Sequence, residues 1–289
     1  MSAESRERRR QKKQRRREEN HAGIARKMKE EPGAFWTYIV LRTIVVLILI
    51  RSIWVGNYEN ALICIYVLIL YILPQFVEKR MKIEIPSVLE IIIFVFVFLA
   101  EIFGEMASFF LKVTFWDTML HTTSGFLLAA VGFSLVNLLN ESEKVKVQLS
   151  PAYLAVVAFC FSMTMGVLWE FFEYGADHLL LLDMQKDTVI NQIATVDLDP
   201  TLSNTPVVIS GITDTILELS DGSTYRLGLG GYLDIGIIDT MEDLFVNFIG
   251  AVVFSVIAYF ETKSTKRPLT TALALHKRKS QPKQVADTE

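Results

Sequence analysis

Residues 115–139 read "FWDTMLHTTSGFLLAAVGFSLVNLL", and how this stretch is read decides the fold. As a helix it is long enough to cross a hydrocarbon core of ~30 Å, which takes roughly 20 apolar residues. Yet it opens with Asp117 and places His121 one turn later. A second run, "IIDTMEDLFVNFIGAVVFSVIAYF" at 237–260, begins with the same Asp-Thr-Met and adds Asp243 one turn further on. Both runs have the length of a membrane span, and both carry ionisable groups at one end.

Similar runs recur along the chain. The 289 residues are 51% hydrophobic and 21% charged, a composition of polytopic membrane proteins rather than soluble domains. Six spans are predicted, at Trp36–Val55, Asn60–Phe76, Val88–Leu111, Trp116–Leu139, Tyr153–Tyr174 and Asp239–Phe260. The second is short and carries Pro74 near its end. The expected fold is an all-α membrane bundle.

Charge fixes an orientation. Of the 29 Lys and Arg, 12 precede Gly33, 3 lie in "EKRMK", 2 in "EKVKV" and 7 follow Phe260. With six spans these four segments share one side, which the positive-inside rule makes the cytoplasm. The expectation is a multi-pass protein of the cytoplasmic membrane with both termini inside. The basic start "RERRRQKKQRRREE" reads as a solvated tail beside anionic lipid, not as a nucleic-acid arm. Cys64 and Cys160 fall near opposite ends of their spans and match neither a disulfide nor a zinc spacing.

The expected organisation is a basic tail (1–33), five spans (34–174), an acidic extracytoplasmic loop (175–238), a sixth span (239–260) and a second basic tail (261–289). The loop carries nine acids against Lys186 and Arg226. Within it "TILELSDGSTYRLG" alternates around Asp221-Gly222, a hairpin signal. "TPVVISG" is expected to add a third strand.

Helical spacing brings the acids to one depth. Asp117 and His121 are at i and i+4, as are Asp239 and Asp243, with Asn247 one turn deeper. The fifth span runs back, so Glu170, Glu173 and Asp177 come to the same outer level, and Glu101 and Glu105 sit in the outer half of the third. Glu90 and Glu242 are expected to face headgroups or solvent. A carboxylate deep in lipid costs about 2.5–3.5 kcal/mol on insertion scales, so these groups should face inward or a wet cavity.

Each has a plain structural alternative. Asp117 and Asp239 suit helix N-caps, a buried His often only meets a neighbour, and Glu101 and Glu105 can serve a structural network. Together, Asp117, His121, Glu170, Glu173, Asp239 and Asp243 make a hard-cation donor set, favouring Mg²⁺, Mn²⁺ or Ca²⁺ over Zn²⁺ or iron. Glu101, Glu105, Asp177, Asn247, Gln185 and Asp187 are candidate supporting residues, and His121, Glu170 and Glu173 the candidate acid and base. Ser124 near His121 and "GLGGYLD", ending on Asp234, are weak echoes of intramembrane serine and aspartyl proteases.

"WDTMLHTTSGFLLA", "WEFFEYGAD" and "DTMEDLFVNFIGA" resemble, in this order, the motifs of bacterial YjdF-like membrane proteins and, more sparsely, of VanZ-like proteins. In the VanZ-like pattern Asp117 and His121, Glu170, and then Asp243, Asn247 and Gly250 correspond, while Glu173 stands where Gln is usual. The resemblance implies a bacterial cell-envelope role and no substrate. It makes Gln185 and Asp187 of "MQKD" candidates for a lid. The leading expectation is an enzyme acting on a lipid or lipid-linked envelope molecule. The rivals are a proton- or cation-coupled transporter and a non-catalytic scaffold. Membrane lipid is the expected partner, nucleic acid is not, and the oligomeric state stays open.

Overall fold

The computed structural model describes residues 28–29, 31–140 and 149–277. The basic runs before residue 28 and after residue 277, and "EKVKV", lie outside the described residues. Among the described residues, six helical segments are long and apolar enough to cross a membrane, and a strand-bearing insertion separates the last two. The chain divides into two compact units: residues 1–120, 130–158 and 255–289 form the first, and residues 121–129 and 159–254 the second.

In the first unit, α1 (Pro32–Val55) takes Pro32 in its first turn, where no N–H is needed, and stops at Gly56 with φ 77°. α2 (Tyr58–Leu70) starts on Asn57, whose side chain accepts the Asn60 N–H at 3.0 Å. The second span does not end at Phe76. It turns at Tyr71-Ile72 and continues as α3 (Leu73–Met81), with Pro74 in the new first turn. β1 (Ile83–Glu84) leads into α4 (Ser87–Phe98), which loosens into a π-helix over Leu99–Met106.

The expected unbroken third span is thus corrected. It closes at Ala107-Ser108, where Ser108 has φ 58°, and the short α5 (Phe109–Lys112) follows. Glu90, expected to face headgroups or solvent, is 3% exposed. It stands in the first turn of α4, where the helix dipole favours an anion. The core gathers Val45, Cys64, Val67, Tyr71, Phe94 and Ile102, and the Tyr71 hydroxyl donates to the Phe94 carbonyl at 3.3 Å.

α6 (Trp116–Asn140), α7 (Pro151–Leu180) and α8 (Ile237–Lys263) each contribute to both units. In the last turn of α8, Glu261 accepts N–H groups from Leu269 and Thr270 and so caps α9 (Pro268–Leu273). The chain then pairs β8 (His276–Lys277) antiparallel with β1.

The second unit holds the insertion. β2 (Val189–Ile190) pairs with β7 (Tyr232–Leu233), and β3 (Gln192–Thr195) with β4 (Val207–Ser210). β5 (Ile216–Glu218) and β6 (Thr224–Arg226) form the hairpin around Asp221-Gly222, with Gly222 at φ 82°. "TPVVISG" is therefore not a third strand of that hairpin: Val207–Ser210 pairs with β3 instead. Asp199 ties the intervening turn, accepting from the Thr201 hydroxyl at 2.7 Å and the Ser203 hydroxyl at 2.9 Å.

Candidate metal centre

Two glycines decide how closely α6 and α8 cross. A Cβ at Gly125 would lie 2.9 Å from the Asn247 Cα and nearer still to its carbonyl oxygen. A Cβ at Gly250 would lie 2.9 Å from the Phe126 backbone nitrogen and nearer still to the Thr122 oxygen. Backbone therefore meets backbone at this crossing, as small residues permit between membrane helices. α7 joins through Ser162, whose hydroxyl donates to the Gly125 carbonyl at 2.7 Å. A Cβ at Gly166 of α7 would lie 2.8 Å from the Asn247 side-chain nitrogen.

One turn closer to the helix ends, this crossing sets His121 of α6 opposite Asp243 of α8. The His121 Nε2 lies 3.5 Å from an Asp243 carboxylate oxygen. From α7, Glu170 and Glu173 each offer a carboxylate oxygen within 4.8 Å of one another and of Asp243. Donors 2.3–2.6 Å from one ion stand at most about 5 Å apart, so this spacing suits a single hard cation. Glu170, Glu173 and Asp243 are 4%, 7% and 4% exposed. Counting about 1.5 Å per residue from the start of α6 and from the ends of α7 and α8 that the insertion joins, His121 and Asp243 lie roughly 7–9 Å in and the two glutamates roughly 10–15 Å in. Three carboxylates buried so close repel one another unless a cation or protons intervene.

Asn247 forms the floor. It is 2% exposed and meets the sulfur of Met163 at 3.5 Å through its amide nitrogen. Asp117 opens α6 one turn before His121, half-buried. Glu101 and Glu105 lie on the π-helix of the first unit, Glu101 half-buried and Glu105 exposed.

Asp177 and Asp239 hold the chain that follows α7. That helix runs past Gly175 to Leu180, and Leu181 then turns with φ 55°. Asp177 accepts the N–H groups of Met184 at 2.6 Å and Gln185 at 2.9 Å. Asp239 accepts the Lys186 N–H at 2.7 Å, and the Gln185 amide donates to the Thr240 hydroxyl. Residues 181–187 thus form a strap pinned to the ends of α7 and α8. Gln185 is buried in it, and Asp187 is exposed. Desolvation, then the charges of Asp183, Asp234 and Asp177, push the Asp187 carboxyl up, against Lys186.

Neither protease echo forms a dyad. The Ser124 hydroxyl donates to the backbone oxygen of His121 at 2.9 Å, and Asp234 accepts the Ile238 N–H at 3.0 Å at the start of α8. The sequence reading overlooked Thr240, Ser162, Gly125 and Gly166, and named Gly250 only through the VanZ-like pattern. The glycines left a signal, since lone glycines inside apolar runs mark close backbone approach.

Six candidate spans and a buried carboxylate–imidazole group near one end of three of them define an integral membrane protein of the helical-bundle class. A family described as "Predicted membrane protein (DUF2238)" matches residues 37–264, and the chain belongs to it. An uncharacterized protein of Thermotoga maritima is 29% identical over 107 residues, which covers 37% of this chain and 53% of that relative. The chain therefore spans about half the length of that curated relative. No solved structure matches.

Proposed function

We propose that this protein holds a divalent cation between α6, α7 and α8 and acts there on a lipid or lipid-linked molecule of the cell envelope. The observation that carries the proposal is the meeting of Glu170, Glu173 and Asp243, three buried carboxylates within one ion's reach, with His121 beside Asp243. Oxygen-rich donors with one imidazole favour Mg²⁺, Mn²⁺ or Ca²⁺. The cation would polarise a bound oxygen of the substrate. Proton transfer would fall to His121, beside Asp243.

The flanks of the site support a lipid substrate. Phe171, Phe172 and Tyr174 on α7, and Met241 and Phe245 on α8, are exposed apolar side chains interleaved with the acids. A substrate arriving sideways through these faces needs an apolar tail. The charge asymmetry supports placing both termini in the cytoplasm and the strap on the opposite side of the inner membrane. The resemblance to YjdF-like and VanZ-like proteins supports an envelope role.

The test is metal content by elemental mass spectrometry on purified full-length protein, beside His121→Ala and Asp243→Ala. Stoichiometric metal in the wild type, lost in both variants, is expected. Metal-free protein whose melting temperature ignores Mg²⁺, Mn²⁺, Ca²⁺ and Zn²⁺ would overturn the proposal and move a proton-coupled carrier to first place.

A further inference from the structure

Arg42 lies inside the first span, in the unit that does not hold the acid cluster. Trp36 and Trp54, both exposed, are placed as the aromatic belt of a spanning helix. Their eighteen-residue separation spans ~27 Å, close to one hydrocarbon thickness. Arg42 is six residues, ~9 Å, inside the Trp36 end by the same rise. A guanidinium at that depth is costly unless it reaches back to the interface or finds acceptors.

Its direction is fixed. The Arg42 guanidinium donates to the Tyr38 hydroxyl one turn toward the helix start, with its central carbon 5.4 Å from the ring centroid. Tyr38 is itself held by the core: its ring lies 5.1 Å from Phe94 and 6.3 Å from Tyr71. The phenol therefore sets the guanidinium near the level of Trp36. A guanidinium has five N–H donors, and the Tyr38 oxygen takes one. Among the described residues no carboxylate lies within ion-pair distance of Arg42. α1 is also the least covered of the six candidate spans, with Trp36, Ile39 and Val40 exposed beside this pair.

Unspent, diverging donors at headgroup depth, on a helix open to lipid, call for an acceptor with several anionic oxygens. We infer that Arg42 and Tyr38 form a binding site for the phosphate of an anionic phospholipid, in the leaflet where α1 begins. Tyr38 is the positioning residue and Arg42 the phosphate ligand. The site uses no residue of the proposed metal centre.

Native mass spectrometry of the full chain tests it, after exposure to vesicles of equal parts phosphatidylglycerol and phosphatidylcholine. The wild type should retain phosphatidylglycerol preferentially, and Arg42→Gln should lower that retention about tenfold, the scale of a charge-assisted phosphate contact. Tyr38→Phe should weaken it less, and Arg51→Gln, at the other end of the helix, should leave it unchanged. If Arg42→Gln does not fold, Arg42→Lys and Tyr38→Phe carry the comparison. Equal retention of both lipids by the wild type, or undiminished retention by the Arg42 variant, would overturn the inference. So would displacement of the lipid by inorganic phosphate, or a second protein chain that leaves when Arg42 is replaced.

Discussion

Replacing Gly250 by Ala tests whether the helix crossing positions the site. The added methyl would lie 2.9 Å from the Phe126 nitrogen and closer to the Thr122 oxygen, where about 3.5–4 Å is ordinary contact. Both are backbone atoms, so no rotamer change relieves the clash and α6 and α8 must part by roughly 1 Å. His121 and Asp243, now 3.5 Å apart, would then pass beyond ion-pair distance. Overpacking of this kind costs about 1–3 kcal/mol. Gly175→Ala is the matched comparison: it also lies within a helix, but its Cβ would meet nothing within 4 Å. There the change should stabilise by up to about 1 kcal/mol through helix propensity. Melting in detergent, with and without added divalent cation, reads both quantities. Gly250→Ala should melt lower and respond less to the cation, while Gly175→Ala should melt slightly higher with its response intact. A Gly250→Ala protein with wild-type melting and wild-type cation response would refute the view that this crossing sets the site.

Three further outcomes follow from the insertion. Asp177→Asn keeps one acceptor for the Met184 and Gln185 N–H groups but loses the charge, at about 1–2 kcal/mol; hydrogen exchange should quicken at Met184–Lys186 while the helices stay protected. The hydroxyl and N–H of Thr201, then the Ser203 hydroxyl, hold the Asp199 carboxyl well below its usual range, and the Ser203 and Ser223 donors bonded to Asp199 and Asp221 make both turns acid-sensitive. Their stabilisation is complete above the ordinary carboxylate value of about 3.9 and is lost only as pH falls below it, so NMR shifts of these turns should hold at pH 5 and move in stronger acid. Asp187 has the opposite sign: its raised value means the charged form opposes folding, so mild acid should tighten the strap rather than loosen it.

The spans were legible because apolar runs of that length have few alternatives, and the i, i+3 and i+4 spacing of His121, Glu170, Glu173 and Asp243 was legible because helical periodicity is fixed. Spacing alone could not separate these residues from Asp177 and Asp239. All six satisfy the same pattern, but the latter two accept N–H groups of the strap, a partner supplied by a loop rather than by a helix face. The break at Tyr71-Ile72 and the π-helix at Leu99–Met106 were invisible for a different reason: both keep their apolar character, and hydropathy does not report hydrogen-bond register. Glu90 was misplaced because its position near a helix start says nothing of what packs over it.

The same geometry bears on the choice among enzyme, carrier and scaffold. A scaffold needs its polar groups to hold the helices together. Here α6, α7 and α8 are already held one turn deeper, by glycine against backbone at Gly125 and Gly250 and by the Ser162 hydroxyl on Gly125. None of those contacts uses an acid, so burying three carboxylates above them adds cost without being required for the crossing. A ligand that neutralises them removes the cost. A carrier, in turn, needs a polar route onward from the cluster. Within the second unit the path below Asp243 meets Asn247, which is packed against Gly166 and Met163. Deeper still is the edge-to-face pair Phe126–Phe254 at 5.2 Å, with Phe254 fully buried. A tightly packed amide above buried aromatic carbon suits the binding and release from one side that the proposed lipid-facing enzyme needs, and a through-route for ions would need polar groups there instead.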